Sequence, residues 1–142
     1  MNMNNLNGLQ LIKLMAKREI PLPNITNIFP MLDIEADRGK IAIKVRADER
    51  HYNSMHIVHG GFAATVLDTA MACAIQTLLG PGSNPYSIDL GIKYFKPIPA
   101  NTDLYAKGTL SEITGSLGFA RGELVDGAGN LYAESSTSCM LL

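Results

Sequence analysis

The segment from Gly60 to Leu79 is apolar around nearly its whole helical circumference, and it constrains the fold more than any other part of the chain. Eight of its side chains leave few polar gaps: Phe62, Val66, Leu67, Ala70, Met71, Ala74, Ile75 and Leu78. A helix of this kind is normally buried on most of its sides. The next stretch, residues 80–85, carries two glycines and two prolines and ends the helix. We therefore predict one long helix enclosed by the rest of the chain.

Segments with strand character lie on both sides of this helix. In the stretch Ile41–Ala47, the apolar Ile41, Ile43 and Val45 alternate with more polar neighbours, as expected for a strand with one buried face. The predicted strands are Met31–Ala36 and Ile41–Ala47 before the helix, and Tyr86–Lys96, Asp103–Thr114, Leu117–Val125 and Leu131–Leu141 after it. An antiparallel sheet curled around the helix is the economical solution. The fold class is therefore α+β.

The N-terminal residues predict a short lead element. Leu6, Leu9, Ile12 and Met15 recur at helical spacing within residues 5–18, and Pro21 and Pro23 end the helix and begin an extended connector. With 142 residues and no internal repeat, the chain forms one domain. We divide it into an N-terminal helix and connector, residues 1–28, and a main unit, residues 29–142.

Composition argues against several classes of partner. The chain has 12 basic and 13 acidic residues, no Trp and only 6% aromatic residues, so neither its charge nor its stacking groups favour nucleic acid. No run approaches the roughly 18 apolar residues that span a membrane. The first residues lack the pattern of a secretory signal, so we expect a cytoplasmic protein. Cys73 and Cys139 fit no metal spacing and are predicted to be buried apolar residues, and no metal site is expected.

The chemistry is concentrated where the long helix begins. Glycine at Gly60 and Gly61 allows a ligand to approach backbone N–H groups at the positive end of the helix dipole. Asp68 is a lone carboxylate in an apolar helix, which is costly to bury without a partner and suits a general base or a nucleophile. Asp68 projects from nearly the same face as Gly61. Spacing leaves open whether the Gly60 amide and Asp68 of the same chain serve one site.

Asn53, the triplet His59-Gly60-Gly61, Asp68 and Ser87, in this order within the strand pattern, resemble the signature of hotdog-fold acyl-CoA thioesterases of the phenylacetic-acid type. The resemblance covers roughly residues 29–142. It implies the hotdog fold and hydrolysis of an acyl-CoA, with no cofactor beyond the coenzyme A of the substrate. It also implies a homodimer or homotetramer in which Asp68 of one subunit completes a site with Gly60 of the other.

The resemblance assigns a role to each residue of the signature. The Gly60 N–H donates to the thioester oxygen, and His59 positions the thioester or bonds to Asn53. Asn53 orients the carbonyl or the attacking water. Ser87 reaches that water across the dimer. Strand alternation by itself places Ser87 on the face opposite Ile88, Leu90, Ile92 and Tyr94.

Further residues are candidates for binding the substrate. Gly61 permits close backbone approach, and Thr69 adjoins Asp68 on the helix. Lys93, Lys107 and Arg121 are candidates for the phosphates of coenzyme A. The chain departs from the family at Gly115-Ser116-Leu117, where many members carry a basic residue thought to touch phosphate.

Three other functions remain in view. A non-catalytic acyl-CoA-binding module needs no base, so the presence of Asp68 with Asn53 and Ser87 argues against it. A thioesterase acting on acyl-carrier protein would keep the same site. The dehydratase branch of the fold usually has prolines after its histidine and can use a helical Glu, whereas His59 precedes Gly-Gly-Phe-Ala and the helix has no Glu.

Overall fold

The apolar segment forms the long helix of the protein, α2 (Gly60–Gln76), in a computed structural model that describes every residue from Met1 to Leu142. The other elements are α1 (Gly8–Ala16), β1 (Met31–Asp37), β2 (Lys40–Val45), β3 (Pro85–Tyr94), β4 (Leu104–Thr114), β5 (Leu117–Asp126) and β6 (Leu131–Leu141). Three short 3₁₀ helices span Met3–Asn5, Asn24–Asn27 and Glu49–His51. The predicted order of elements is therefore confirmed, with bounds that differ by a few residues.

The six strands form one antiparallel sheet in the order β1-β2-β4-β5-β6-β3. Alternate residues of the central strands point toward α2 and are buried: Ala106, Ala120, Leu124, Ala133 and Cys139. Helix and inner sheet face share a core of 19 buried residues that includes Phe62, Val66 and Leu67. The predicted hotdog architecture, a sheet around one central helix, is confirmed.

The sheet approaches α2 closely because glycine lies beneath the helix. A Cβ atom on Gly108 would lie 2.2 Å from the carbonyl oxygen of Ala70 and 3.0 Å from the backbone nitrogen of Met71. On β5, a Cβ atom on Gly122 would lie 3.1 Å from the Met71 side chain. The backbone of the helix therefore rests almost directly on the sheet. This contact fixes the distance between the sheet and the α2 side chains.

The N-terminal segment packs on the same core as the main unit. Asn7 and Gln10 form a reciprocal capping box at the start of α1, and the Gly8 N–H donates to the Leu79 carbonyl at 3.0 Å. A Cβ atom on Gly8 would lie 1.9 Å from the carbonyl oxygen of Gln76, so α1 touches the end of α2 directly. Ile12 is fully buried in the main core. The division at residue 28 stays a prediction.

The end of α2 lies three residues before the predicted end. The Leu78 N–H bonds to Ile75 and the Leu79 N–H to Gln76, which is the tighter i,i+3 pattern common at helix ends. The Thr77 hydroxyl bonds to the Ala74 carbonyl and accepts the Gly39 N–H, and so joins this end to the β1–β2 turn. None of the helices combines the length and the apolar character that crossing a membrane requires.

The contact between Gly108 and Ala70 yields a stability prediction. Gly108→Ala should lower the free energy of unfolding by about 3 kcal/mol or more, because the added methyl group meets helix backbone that cannot move aside by a side-chain rotation. Denaturant unfolding measures this. Gly127→Ala is the matched control, since a Cβ there meets no atom within 4 Å, and it should change stability by less than about 0.5 kcal/mol. Equal effects of both substitutions would contradict the close packing.

Candidate active site

Asp68 and Ser87 of the same chain form a hydrogen-bonded pair. Asp68 lies two turns into α2 and is half-buried, and the Ser87 hydroxyl on β3 donates to its Oδ1 at 2.7 Å. The bond gives the lone carboxylate of the apolar helix a polar partner. It also fixes the direction of the carboxylate and leaves Oδ2 without a hydrogen bond from the chain.

The sequence-based placement of Ser87 on the strand is wrong, because β3 contains a β-bulge. Ser87 pairs with Cys139, but Asp89 pairs with Ser138, so the chain has one extra residue at Ile88. Beyond the bulge, Leu90, Ile92 and Tyr94 pair with residues whose side chains face α2. Ser87 therefore lies on the same face as these three residues.

The Gly60 amide is the second group aimed outward from α2. His59 is the N-cap, and its Nδ1 accepts the Gly61 N–H at 2.8 Å. The Phe62 N–H bonds to the His59 carbonyl. The Gly60 N–H, in contrast, makes no hydrogen bond within the chain. A free amide at a helix N-terminus is suited to receive a partly negative oxygen.

Tyr94 holds the other side of this turn, and the sequence analysis gave it no role. Its hydroxyl donates to the Gly60 carbonyl at 2.6 Å. A Cβ atom on Gly60 would lie 2.9 Å from that hydroxyl oxygen, so a larger residue at this position would push the tyrosine aside. Partial burial raises the pKa of Tyr94 above its ordinary value and keeps the phenol a donor. The one sequence signal is an aromatic residue at the end of the strand that carries Ser87.

The two halves of this arrangement are far apart within one chain. Asp68 follows Gly60 by eight residues, which corresponds to about 12 Å along a helix. Within one chain the two groups therefore lie at separate points of α2, each bonded to a different residue of β3.

The loop before α2 is held by Asn53 and His51. The Asn53 Oδ1 accepts the N–H groups of Met55 and Ile57 at 2.9 and 3.2 Å, so its side chain stabilises the loop and does not bond to His59. His51 is buried, accepts the Asp48 N–H at Nδ1 and donates from Nε2 to the Ile28 carbonyl. The Arg50 guanidinium beside Asp48 lowers the pKa of that carboxyl to about 2.

Polar groups deeper in α2 serve the helix itself. The Thr69 hydroxyl donates to the Thr65 carbonyl, and the Thr65 hydroxyl donates to the Gly61 carbonyl, both at 2.9 Å. Burial, with a smaller contribution from the Asp68 charge, raises the pKa of the Cys73 thiol to about 12. That thiol stays protonated at neutral pH and does not act as a nucleophile there.

The predicted phosphate ligands lie on the outer face of the sheet. Lys93 pairs with Glu134, and Lys107 pairs with Glu123, while Arg121 is exposed on β5 between two residues that face α2. Lys93 and Arg121 border one outer groove together with both glutamates. The structure therefore does not bring these three cations together with Asp68 or Gly60 of the same chain.

The free edge of the sheet is apolar and exposed. β3 pairs with β6 on one side only, and apolar side chains along and just after it are 38–57% exposed: Tyr86, Ile88, Leu90, Tyr94 and Phe95. Unpaired apolar edges of this kind are normally covered. At its C-terminal end, Gly60, Tyr94, Phe95 and Ile98 line a mostly apolar cleft of about 350 Å³. No group of three or more His, Cys, Asp or Glu side chains is arranged to hold a metal ion.

Known proteins resemble this chain in sequence and in fold. Residues 55–133, more than half of the chain, match the family model described as the thioesterase superfamily. A suspected esterase of Halobacterium salinarum is 30% identical over 105 residues, which cover 70% of this chain and 68% of that protein. Human acyl-coenzyme A thioesterase 13 is 26% identical over 102 residues, covering 71% and 72% of the two chains.

The fold is also that of solved proteins. The crystal structure of a phenylacetic acid degradation-related protein of Ralstonia eutropha superposes with a TM-score of 0.81. The match covers 91% of this chain and 98% of that one, at 23% identity. The predicted resemblance to proteins of the phenylacetic-acid type is therefore confirmed at the level of the fold.

Proposed function

The chain belongs to the thioesterase superfamily and is a thioester hydrolase, and from that premise we propose that its substrate is an acyl-coenzyme A thioester. Two features of the structure carry the proposal together. The carboxylate of Asp68 is fixed by its hydrogen bond from Ser87, and the Gly60 amide at the start of α2 is free. These groups supply a base and an oxyanion donor, which are the two functions that hydrolysis of a thioester needs. The human relative is named an acyl-coenzyme A thioesterase, and this name supports coenzyme A as the carrier of the acyl group.

In the proposed reaction, Asp68 removes a proton from a water molecule as its oxygen attacks the thioester carbonyl carbon. Ser87 occupies Oδ1, so Oδ2 is the oxygen available to the water. The Gly60 N–H stabilises the negative charge that develops on the carbonyl oxygen. The intermediate then expels the thiolate, which takes up the proton. In the competing scheme, Asp68 attacks the carbonyl carbon directly, the thiolate leaves, and water hydrolyses the resulting anhydride. When that water attacks the Asp68 carboxyl carbon, a single turnover in heavy-oxygen water places heavy oxygen in Asp68 and ordinary oxygen in the product acid.

The proposed site is formed by two subunits. On one chain Ser87 and Tyr94 mark opposite ends of β3, the first beside Asp68 and the second beside Gly60. Antiparallel pairing of two copies through this edge, centred between Leu90 and Gly91, would bring Ser87 of one copy beside Tyr94 of the other. Asp68 of one subunit would then meet Gly60 of the other. The pairing would also cover the exposed apolar edge.

The proposed acyl-CoA would be held mainly by apolar contacts. The cleft beside Gly60 offers apolar walls close to the proposed oxyanion donor. His59 keeps its Nε2–H free and Asn53 keeps its side-chain NH2 free, and these are the groups proposed to orient the substrate or the water. Gly61 and Thr69 stay candidates for substrate contact. An acyl-carrier protein would present the same thioester and remains the alternative carrier.

The first test replaces the proposed base. Asp68→Asn keeps the size of the side chain and its bond from Ser87, but it should lower turnover of acyl-CoA by about 10² or more. Release of thiol is the measurement. Glu35→Gln, the same chemical change on an exposed residue of β1, is the control and should leave turnover unchanged. If Asp68→Asn turns over substrate at nearly the rate of the control, Asp68 is not the base.

A second test isolates the Gly60 amide. Gly60→Pro removes the free N–H and adds a Cβ next to Tyr94; the helix accepts it, since proline is favoured at the first helical position and His59 already has the extended conformation that precedes proline. Gly60→Ala adds a comparable Cβ next to Tyr94 but keeps the amide. The proline variant should be slower than the alanine variant by about 10²–10³ in kcat. Equal rates of the two folded variants would exclude the amide as oxyanion donor.

The shared site is tested by mixing the two inactive chains. An Asp68→Asn subunit paired with a Gly60→Pro subunit contains one intact site and one doubly altered site. After complete random exchange, the mixture should recover about a quarter of wild-type activity. Mass spectrometry with one labelled chain verifies the exchange. No recovery in a verified mixed dimer would place both groups in one subunit, against the proposal.

The position of the cations leads to a test of the carrier. Lys93, Lys107 and Arg121 lie on the outer sheet face, and the net charge is −1, so nucleotide recognition should be weak. Shortening the substrate to an acyl-pantetheine thioester should therefore raise KM by less than about tenfold, and salt should change kcat/KM little. A loss of about 10³ or more in kcat/KM would reveal a nucleotide site that these side chains or others provide.

A further inference from the structure

We propose that Tyr94 is a positioning residue for the hydrolysis, and that its hydroxyl fixes the direction of the Gly60 amide. The proposal rests on the function proposed above for Gly60. It extends that function to a side chain in another element of the fold. Tyr94 lies on β3, 34 residues from Gly60 in sequence, and its hydrogen bond of 2.6 Å ends on the Gly60 carbonyl.

The need for such a residue follows from the glycine pair. Glycine has more backbone freedom than any other residue, so an oxyanion donor built on Gly60 has no side chain to hold it in place. The first turn of a helix also frays most easily. A donor must keep its direction before the reaction begins, because reorientation during the reaction costs part of the stabilisation.

The peptide groups on both sides of Gly60 are fixed by different partners. Between Gly60 and Gly61, the carbonyl accepts from Tyr94 and the N–H donates to His59 Nδ1. Between His59 and Gly60, the carbonyl accepts from Phe62 and only the N–H is free. With three of four polar groups bound, rotation of either peptide group would break at least one of these hydrogen bonds. Tyr94 provides the only one of these three bonds that comes from outside residues 59–62.

The contact is also sterically tight. A Cβ atom on Gly60 would lie 2.9 Å from the Tyr94 hydroxyl oxygen and 3.0 Å from the ring carbon that bears it. The phenol therefore lies directly on the glycine backbone. Because the phenol retains its proton over the neutral range, the bond persists wherever the enzyme is expected to work.

Tyr94→Phe removes the hydroxyl and keeps the ring, and Tyr105→Phe is the matched control. Tyr105 is a half-buried tyrosine of β4, away from the free edge, and its hydroxyl makes no hydrogen bond within the chain. Tyr94→Phe should lower kcat about tenfold, the scale of one hydrogen bond, with KM changed by less than about twofold. Tyr105→Phe should change neither constant.

A double-mutant cycle separates positioning from a general structural role. In a chain that already carries Gly60→Pro there is no amide to direct, so adding Tyr94→Phe should cause no further loss of kcat, whereas it should still lower kcat in Gly60→Ala, which carries a comparable Cβ but keeps the amide. A purely structural tyrosine would lower kcat by the same factor in both backgrounds, and that result would overturn the proposal. Wild-type kcat in Tyr94→Phe, a rise in KM alone, or failure of the variant to fold would overturn it as well.

An observation on the amide itself completes the test. In protein labelled with heavy nitrogen at glycine, the Gly60 N–H signal should broaden or shift in Tyr94→Phe and stay unchanged in Tyr105→Phe. An unchanged Gly60 signal in Tyr94→Phe would contradict the proposal. If Gly60→Pro and Asp68→Asn keep full activity, the proposed function fails. If both lose activity and Tyr94→Phe does not, only the role of Tyr94 fails.

Discussion

The contact of α2 with the inner face of the sheet is the constraint on which the remaining structure depends. Gly108 lies directly beneath Ala70, so the helix cannot move closer to the sheet without a backbone collision, and moving away would expose its apolar side chains to water. Asp68 is two residues from Ala70 and is therefore held at a fixed height beside β3. The burial of the helix is an energetic requirement of its apolar sequence. The location of the carboxylate is a consequence of that burial.

The edge strand β3 connects this carboxylate with the start of the helix. Near one end of the strand, Ser87 donates to Asp68, and at the other end Tyr94 donates to Gly60. Both bonds depend on the β-bulge at Ile88, which brings Ser87 and Tyr94 to the same face. The two proposed catalytic groups thus stay about 12 Å apart on one helix, while the strand that holds them has an edge free for a second copy.

Several residues of the sequence signature have structural roles that leave other atoms free. His59 caps α2 through Nδ1 and retains Nε2, and Asn53 holds its loop through the side-chain oxygen and retains its amide group. Asp68 uses one carboxylate oxygen for Ser87. The same hydrogen bonds that fold the loop and the helix start thereby fix the directions of the unused donors and acceptor. The interactions that stabilise the fold here are therefore also the ones that orient the proposed site.

The sequence alone determined the central helix, the order of the strands along the chain and the placement of His59, Gly60 and Asp68 in the first half of that helix and its cap, because these features depend on residues close together in the chain. Tertiary structure alone decided which face Ser87 occupies and that Tyr94 reaches Gly60, contacts that span 19 and 34 residues. Strand alternation has a period of two only while pairing is regular, and the bulge arises from the register with β6. The outward direction of Lys93 was also decided by tertiary structure, because it follows from the pairing of Lys93 with Glu134 in the sheet. The pattern of charges along the chain does not reveal that pairing.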